Sequence, residues 1–115
     1  MANKTLNFNQ LQRPTLELTM MDEEQTVIRV TTPSVGLLEE LQAMLPQFET
    51  VAKSGNREAI QAIYDMAARL INCNLSFITV TGEELRTKYA LGLESMQIFF
   101  SAYMDFVNGI YNAKN

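Results

Sequence analysis

Few residues of this chain could carry out covalent or acid–base chemistry. No histidine occurs among its 115 residues, which removes the commonest general base, the commonest zinc ligand and the usual partner of a nucleophilic serine or cysteine. The only cysteine, Cys73, ends an apolar helical pattern and has no imidazole to activate its thiol. We therefore expect Cys73 to be a small buried or half-buried residue and not a nucleophile.

The carboxylates and glycines also lack a catalytic or ligand-binding arrangement. The acidic pairs at 39–40 and 83–84 are adjacent within predicted helices, so their side chains point about 100° apart and cannot act on one substrate atom. A calcium loop starting at Asp22 would need glycine at its sixth position, where Val27 stands. The five glycines form neither a phosphate loop nor a dinucleotide-binding fingerprint. We predict a protein that is not an enzyme and has no metal or cofactor.

Composition places the chain among globular domains. It is 47% hydrophobic and 19% charged, with a net charge of −4. The Lys and Arg residues are scattered, which argues against nucleic acid as a partner, and no apolar run reaches the ~18 residues needed to span a membrane. Residues 1–5 have no apolar run that could serve as a secretion signal, and the lone cysteine cannot pair within the chain. We expect a cytoplasmic protein.

The N-terminal part of the chain shows the alternation of β-strands. Residues 1–13 are polar and are predicted to be an arm or a short edge strand. From residue 15 to 20 apolar and polar residues alternate, and a β-branched run follows at 26–31 after an acidic turn. The two runs predict a β-hairpin over about 15–31.

The remainder has helical periodicity and helix-boundary residues. Helices are predicted over about 33–45, 57–72, 82–90 and 93–111, with Pro33 in the first turn of the first, Asn56 capping the second and a Thr81/Glu84 capping box starting the third. One or two further turns can follow Pro46, and residues 75–80 can be a short strand or an extended link. The predicted fold is α+β, mostly α, with a small N-terminal hairpin packed on a bundle of three to five helices in one domain over 14–115.

The last helix is unusually apolar. At about 100° per residue its polar side chains occupy roughly a quarter of the circumference and its apolar ones about 240°, where a surface helix shows a stripe of about 100° to 140°. Two interpretations remain open. Either a second copy or another protein covers part of the helix, or it is the central helix of a bundle wrapped by the chain's own elements.

The aromatic residues of this helix are the candidate partner-binding site. Tyr, Phe and Met are favoured at the cores of binding surfaces, although about half of the set is expected to be internal. The candidate residues are Phe99, Phe100, Tyr103, Phe106, Val107, Ile110 and Tyr111. Of these, Phe100, Tyr103, Phe106 and Tyr111 are expected to include the partner-facing side chains.

Three segments resemble one protein family. These are Pro14-Thr15-Leu16-Glu17-Leu18-Thr19, the return strand leading through Val30-Thr31-Thr32-Pro33-Ser34 to Leu37-Leu38-Glu39-Glu40-Leu41, and the terminal Phe99-Phe100-Ser101-Ala102-Tyr103-Met104-Asp105-Phe106-Val107. Over roughly 14–110 the chain resembles the tail assembly chaperones of long-tailed, non-contractile bacteriophages. No matching position is catalytic.

The resemblance implies a role in virion assembly. Members of that family keep the long helical tape measure protein soluble, recruit major tail protein subunits, tend to self-associate and are absent from the mature virion. It implies a homo-oligomer in the cytoplasm of a bacterial host, corresponding to the family's short form. Two alternatives stay open: another small phage morphogenesis or connector protein that remains in the particle, and an adaptor that dimerises through its last helix.

Overall fold

The computed structural model of the protein describes residues 14–112, with side chains as far as residue 110. The N-terminal segment 1–13, predicted as an arm or edge strand, lies outside the described residues. The described part runs β1 (Leu16–Thr19), β2 (Val27–Val30), α1 (Val35–Met44), a 3₁₀ turn (Leu45–Gln47), α2 (Phe48–Ser54), α3 (Arg57–Ile71), α4 (Gly82–Arg86) and α5 (Leu93–Asn112). The predicted class, α+β and mostly α, is confirmed.

The hairpin pairs β1 and β2 antiparallel, with Leu18 opposite Ile28 and Glu17 opposite Arg29. Side chains alternate between its two faces, so Ile28 and Val30 are buried against the helices while Arg29 is exposed. In the turn, the Asp22 carboxylate accepts a hydrogen bond from the Thr26 backbone N–H at 2.8 Å and another from the Thr26 hydroxyl. These bonds lower the pKa of Asp22 below its usual value.

The first helix begins two residues later than predicted. Ser34 is its N-cap and its hydroxyl accepts a hydrogen bond from the backbone N–H of Leu37, so Pro33 precedes the cap and does not lie in the first turn. Pro46 ends α1 as expected, because the chain tightens into the 3₁₀ turn before α2. Gly55 then closes α2 in the left-handed conformation, at φ 69°.

Helix α3 begins at the predicted cap, since the Asn56 side chain accepts a hydrogen bond from the backbone N–H of Ala59. The Thr81/Glu84 capping box is also present. Helix α4 nevertheless ends at Arg86 and not near residue 90, and Ala90 has a positive φ of 52° that a right-handed helix cannot contain.

The link between α3 and α4 runs beside β2. Asn74 forms an antiparallel bridge with Val30, and the backbone N–H of Leu75 donates to the Arg29 carbonyl at 3.0 Å. Residues 75–80 are therefore an extended link with one bridge residue before it, and not a regular strand. The buried apolar side chains of the hairpin, the helices and this link form one continuous core.

Candidate functional site

The centre of the apolar arc of α5 faces the protein's own core. Tyr103 is 0% exposed and Phe100 is 2% exposed, and they are the two largest fully buried side chains described. The Phe48 ring of α2 meets the Phe100 ring nearly edge-on, with 5.9 Å between the ring centroids. Phe99 lies 5.7 Å from Tyr103 and Phe106 lies 6.2 Å from it, centroid to centroid. Phe99, Phe100, Tyr103 and Phe106 thus form a continuous row of ring contacts along α5.

This packing corrects the predicted binding site. Phe99, Phe100, Tyr103 and Val107 are buried within the chain, so two of the four residues expected to include the partner-facing ones, Phe100 and Tyr103, are not accessible in this fold. Phe106 is half-buried against the core and so is partly accessible. Ile110 is half-buried as well, and the side chain of Tyr111 lies outside the described part. The physical reason is that α1–α3 and the hairpin supply enough apolar surface to cover most of the arc.

The buried hydroxyl of Tyr103 is held near the end of β2. It lies 3.4 Å from the Thr31 carbonyl oxygen, to which it donates a long hydrogen bond. Burial is the main cause that raises the pKa of Tyr103 above the usual tyrosine value, and the nearby Cys73 adds to it. This phenol is therefore a neutral packing residue and not a proton-transfer group.

An apolar groove remains open on the side of α5 that faces β1. Ile98 is 68% exposed and Ala102 is also exposed, and together they form one wall. The cavity has a volume of about 240 Å³. Its lining residues are Glu17, Leu18, Thr19, Met20, Ile71, Leu91, Ser95, Met96, Ile98, Phe99 and Ala102. We call this cavity the β1–α5 groove; Leu18 of β1 and Ile98 of α5 both line it, together with buried core residues such as Ile71 and Met96.

The charged residues of helix α5 are all acidic. Within Leu93–Asn112 there are two carboxylates, Glu94 and Asp105, and no Lys or Arg. A second, more polar hollow of about 430 Å³ lies on the α2 side of the helix, with Phe48 among its apolar lining residues and Glu49 and Asp105 as its acidic ones. A ligand lying along α5 would therefore meet negative potential from the helix itself.

A second apolar region lies on the outer side of the hairpin and of the link that follows α3, and it shares Glu17 and Thr19 with the rim of the β1–α5 groove. We call it the outer sheet face and define it by the exposed side chains Glu17, Thr19, Met21, Val27, Arg29, Leu75 and Phe77. Glu17 and Arg29 are opposite each other and their side chains approach to 3.5 Å. The Phe77 side chain is 100% exposed. The candidate site predicted from the sequence contains none of these residues.

The acidic pairs have structural roles. Glu40 binds the Arg69 guanidinium through both carboxylate oxygens, at 3.0 and 2.7 Å, and this hydrogen bonding lowers the pKa of Glu40. Glu84 completes the cap of α4. Cys73 is half-buried, as expected from its sequence context, with its Sγ 3.6 Å from the Arg69 carbonyl oxygen. Across residues 14–112, no cluster of three or more His, Cys, Asp or Glu side chains could hold a metal ion.

The exposed position of Ile98 has a signal in the sequence. At about 100° per residue, Ile98 lies next to Asp105 at the border of the polar arc, whereas Tyr103 lies at the centre of the apolar arc. A helix turns the centre of its apolar arc toward the core, so the residues available to a partner are those at the border. Because aromatic residues occur through much of the apolar arc, its composition alone does not indicate which residues are core and which are accessible.

Among the helices of the described part, none is both long and apolar enough to cross a membrane. Comparison of the sequence and the fold with models of protein families, with curated proteins and with solved structures found no match.

Proposed function

We propose that this chain is a non-enzymatic tail assembly chaperone of a long-tailed bacteriophage. In this proposal it binds the helical tape measure protein, keeps it soluble in the cytoplasm of the bacterial host, and helps to recruit major tail protein subunits. It self-associates and is absent from the mature virion. The proposal starts from the resemblance carried by residues 14–110, and one surface feature supports it.

That feature is the β1–α5 groove. A helix that must be kept soluble needs an apolar surface on its carrier, and here Leu18 and Ile98 flank an opening whose floor is already apolar. An amphipathic helix can place one row of side chains in such a groove, with anchors spaced three or four residues apart. The groove is lined mainly by apolar side chains and contains no cluster of catalytic groups.

The charge of α5 specifies the partner further. Glu94 and Asp105 lie on α5 outside the groove lining, and the helix carries no cation, so their field would attract a bound segment with Lys or Arg beside its apolar row. A segment with acidic flanks would be repelled. We propose that the bound part of the tape measure protein is an amphipathic helix with basic flanks.

Co-expression with the tape measure protein tests the proposal. The soluble fraction of the tape measure protein should rise several-fold with the wild-type chain. It should fall back to the level without chaperone for Ile98→Lys, which places a cation in the apolar wall and repels a basic partner. Ile98→Asp should retain more activity than Ile98→Lys, because its charge attracts the flanks.

Val35→Lys is the matched control. Val35 is 70% exposed, close to the 68% of Ile98, but it lies at the start of α1 and does not line the groove. Its variant should solubilise the partner as the wild type does. If the wild-type chain leaves the soluble fraction of the tape measure protein unchanged, the proposed function is contradicted. Equal loss in both lysine variants would contradict the placement in the groove.

A second measurement concerns the mature particle. Mass spectrometry of purified virions should find the tape measure protein and major tail protein but not this chain. Its presence at a fixed copy number would instead favour a connector that stays in the particle.

A further inference from the structure

Among residues 14–110, apolar exposure is concentrated on the hairpin and on the link that follows α3. Across the part of the chain that the structure describes, six large apolar side chains are exposed, and four of them belong to the outer sheet face: Met21, Val27, Leu75 and Phe77. Large exposed apolar side chains gathered on one face mark an interaction surface, whereas scattered ones do not.

The strand register explains why these side chains share a face. Val27 is opposite Thr19 and Arg29 is opposite Glu17, and all four are exposed. Since Asn74 bridges Val30, the next residue, Leu75, stands beside Arg29 and points to the same outer side. The link thus extends the face by one row beyond β2.

Phe77 stands at the tip of this link, in a conformation that an L-residue rarely adopts. Its φ is 57°, in the left-handed region that disfavours aromatic side chains. The Asn74 side chain holds this turn closed, because its amide nitrogen donates to the Ile71 and Ile78 carbonyls and its oxygen accepts from the N–H groups of Ser76 and Ile78. A fully exposed ring on a backbone held in this way is pre-organised for contact and adds nothing to the chain's own core.

We propose that the outer sheet face is the surface through which two copies of this chain associate, with Phe77 as its anchor. The charges of the face select a second copy over another partner. The face carries one carboxylate and one guanidinium, on Glu17 and Arg29, so two identical faces can exchange these partners without an unpaired charge. The α5 helix, which carries only carboxylates, has no such self-complementarity. This inference rests on the proposed function in that it gives a location to its self-association. Its anchor Phe77 does not line the β1–α5 groove, whereas Glu17 and Thr19 belong to both surfaces.

The size of the face predicts a weak dimer. A stable interface buries about 800 Å² per partner, and strands of four residues with one added row offer less than that. We expect association in the micromolar range, with the two exposed phenylalanine rings contributing most of the binding free energy.

Sedimentation equilibrium on the full chain tests the anchor. Phe77→Asn should weaken self-association at least about tenfold, since both copies lose the ring. It should leave the melting temperature unchanged or higher, because asparagine tolerates the left-handed conformation better than phenylalanine does. Val35→Asn, at a comparably exposed apolar residue outside the face, should associate as the wild type does. Unchanged association of Phe77→Asn would overturn the proposal, and so would a wild-type chain that is strictly monomeric at about millimolar concentration.

Charge reversal tests whether the partner of the outer sheet face is a second copy of the chain. Glu17→Arg and Arg29→Glu each leave two like charges on every face, so each variant alone should associate several-fold more weakly than the wild type. An equimolar mixture of the two should form mixed dimers in native mass spectrometry, because the faces become complementary. Two variants that associate like the wild type, or a mixture that forms no mixed dimers, would refute the assignment.

The Phe77 variant separates this inference from the proposed function, which Glu17→Arg cannot do because Glu17 also lines the groove. Phe77→Asn should still solubilise the tape measure protein, because Phe77 does not line the β1–α5 groove. Loss of solubilisation with self-association intact would place the helix-binding surface on the hairpin and overturn the dimer assignment.

Discussion

Two sides of α5 are both lined by apolar side chains, but one side is buried and the other is exposed. On one side Phe100 and Tyr103 are enclosed by α2, α3 and the end of β2, while on the other Ile98 and Ala102 border an open groove. Both sides are apolar, so apolarity alone does not identify a binding surface. What distinguishes them is whether another element of the same chain reaches the residue, and this is why Phe100 and Tyr103, two of the four residues expected to include the partner-facing ones, are core residues.

The largest expected loss of stability comes from a substitution on the enclosed side of α5. Phe100→Ala removes a ring that is 2% exposed and in edge-on contact with Phe48, leaving a cavity in the core. We expect a loss of about 3–5 kcal/mol in the free energy of unfolding. Urea denaturation should show a lower midpoint with an unchanged m-value. A loss below about 1 kcal/mol would mean that this side of α5 is not enclosed.

The buried phenol gives a pH-dependent test of the same side. Since the pKa of Tyr103 is raised by burial, its neutral form is favoured in the folded state. Its contribution to stability is complete below about pH 10, the pKa of tyrosine in an unfolded chain. It is lost as the pH rises above that value, at up to about 1.4 kcal/mol per pH unit. Urea melts from pH 9 to 11 should show a shallower decline for Tyr103→Phe than for the wild type. Parallel declines would place the hydroxyl in solvent.

At neutral pH the same substitution should have a smaller effect. Tyr103→Phe removes one long hydrogen bond to Thr31, 3.4 Å between the two oxygens, and leaves the aromatic contacts in place. We expect a loss of about 1 kcal/mol or less in the free energy of unfolding by urea denaturation. A loss above about 2 kcal/mol would indicate that the carbonyl is left without any partner.

The smallest expected effect belongs to the open side. Ile98→Ala truncates a side chain that is 68% exposed, so the free energy of unfolding should change by no more than about 0.5 kcal/mol. Solubilisation of the tape measure protein should nevertheless decline with this variant. Destabilisation comparable with that of Phe100→Ala would remove the contrast between the two sides.

Much of the fold could be predicted from local sequence signals. The alternation over 15–20 coincides with β1, and the predicted caps at Asn56 and Thr81 and the proline after α1 lie at helix boundaries in the structure, because all of these signals act within a few residues. Predictions were wrong where a local pattern had no boundary residue. The predicted helix over 82–90 ends at Arg86 because Leu85 is buried and the chain then turns back toward the core, with the Leu91 N–H donating to the Leu85 carbonyl.

The candidate site was less predictable than the fold. The apolar arc of α5 was evident, but its division into core and surface depends on Phe48 and Thr31, which are far from α5 in the sequence. The outer sheet face was not predicted at all. The link adds a row to this face because Asn74 pairs with Val30 of β2. The alternation of residues within each segment does not predict that pairing.

By itself the sequence determined the class of fold, the approximate positions of the hairpin and of most helices, and the lack of histidine-based chemistry, because these follow from residue types and from contacts a few positions apart. Only the tertiary structure decided which apolar side chains stay outside. Burial is settled by contacts between distant segments, and these enclosed Tyr103 while leaving Ile98 and Phe77 exposed.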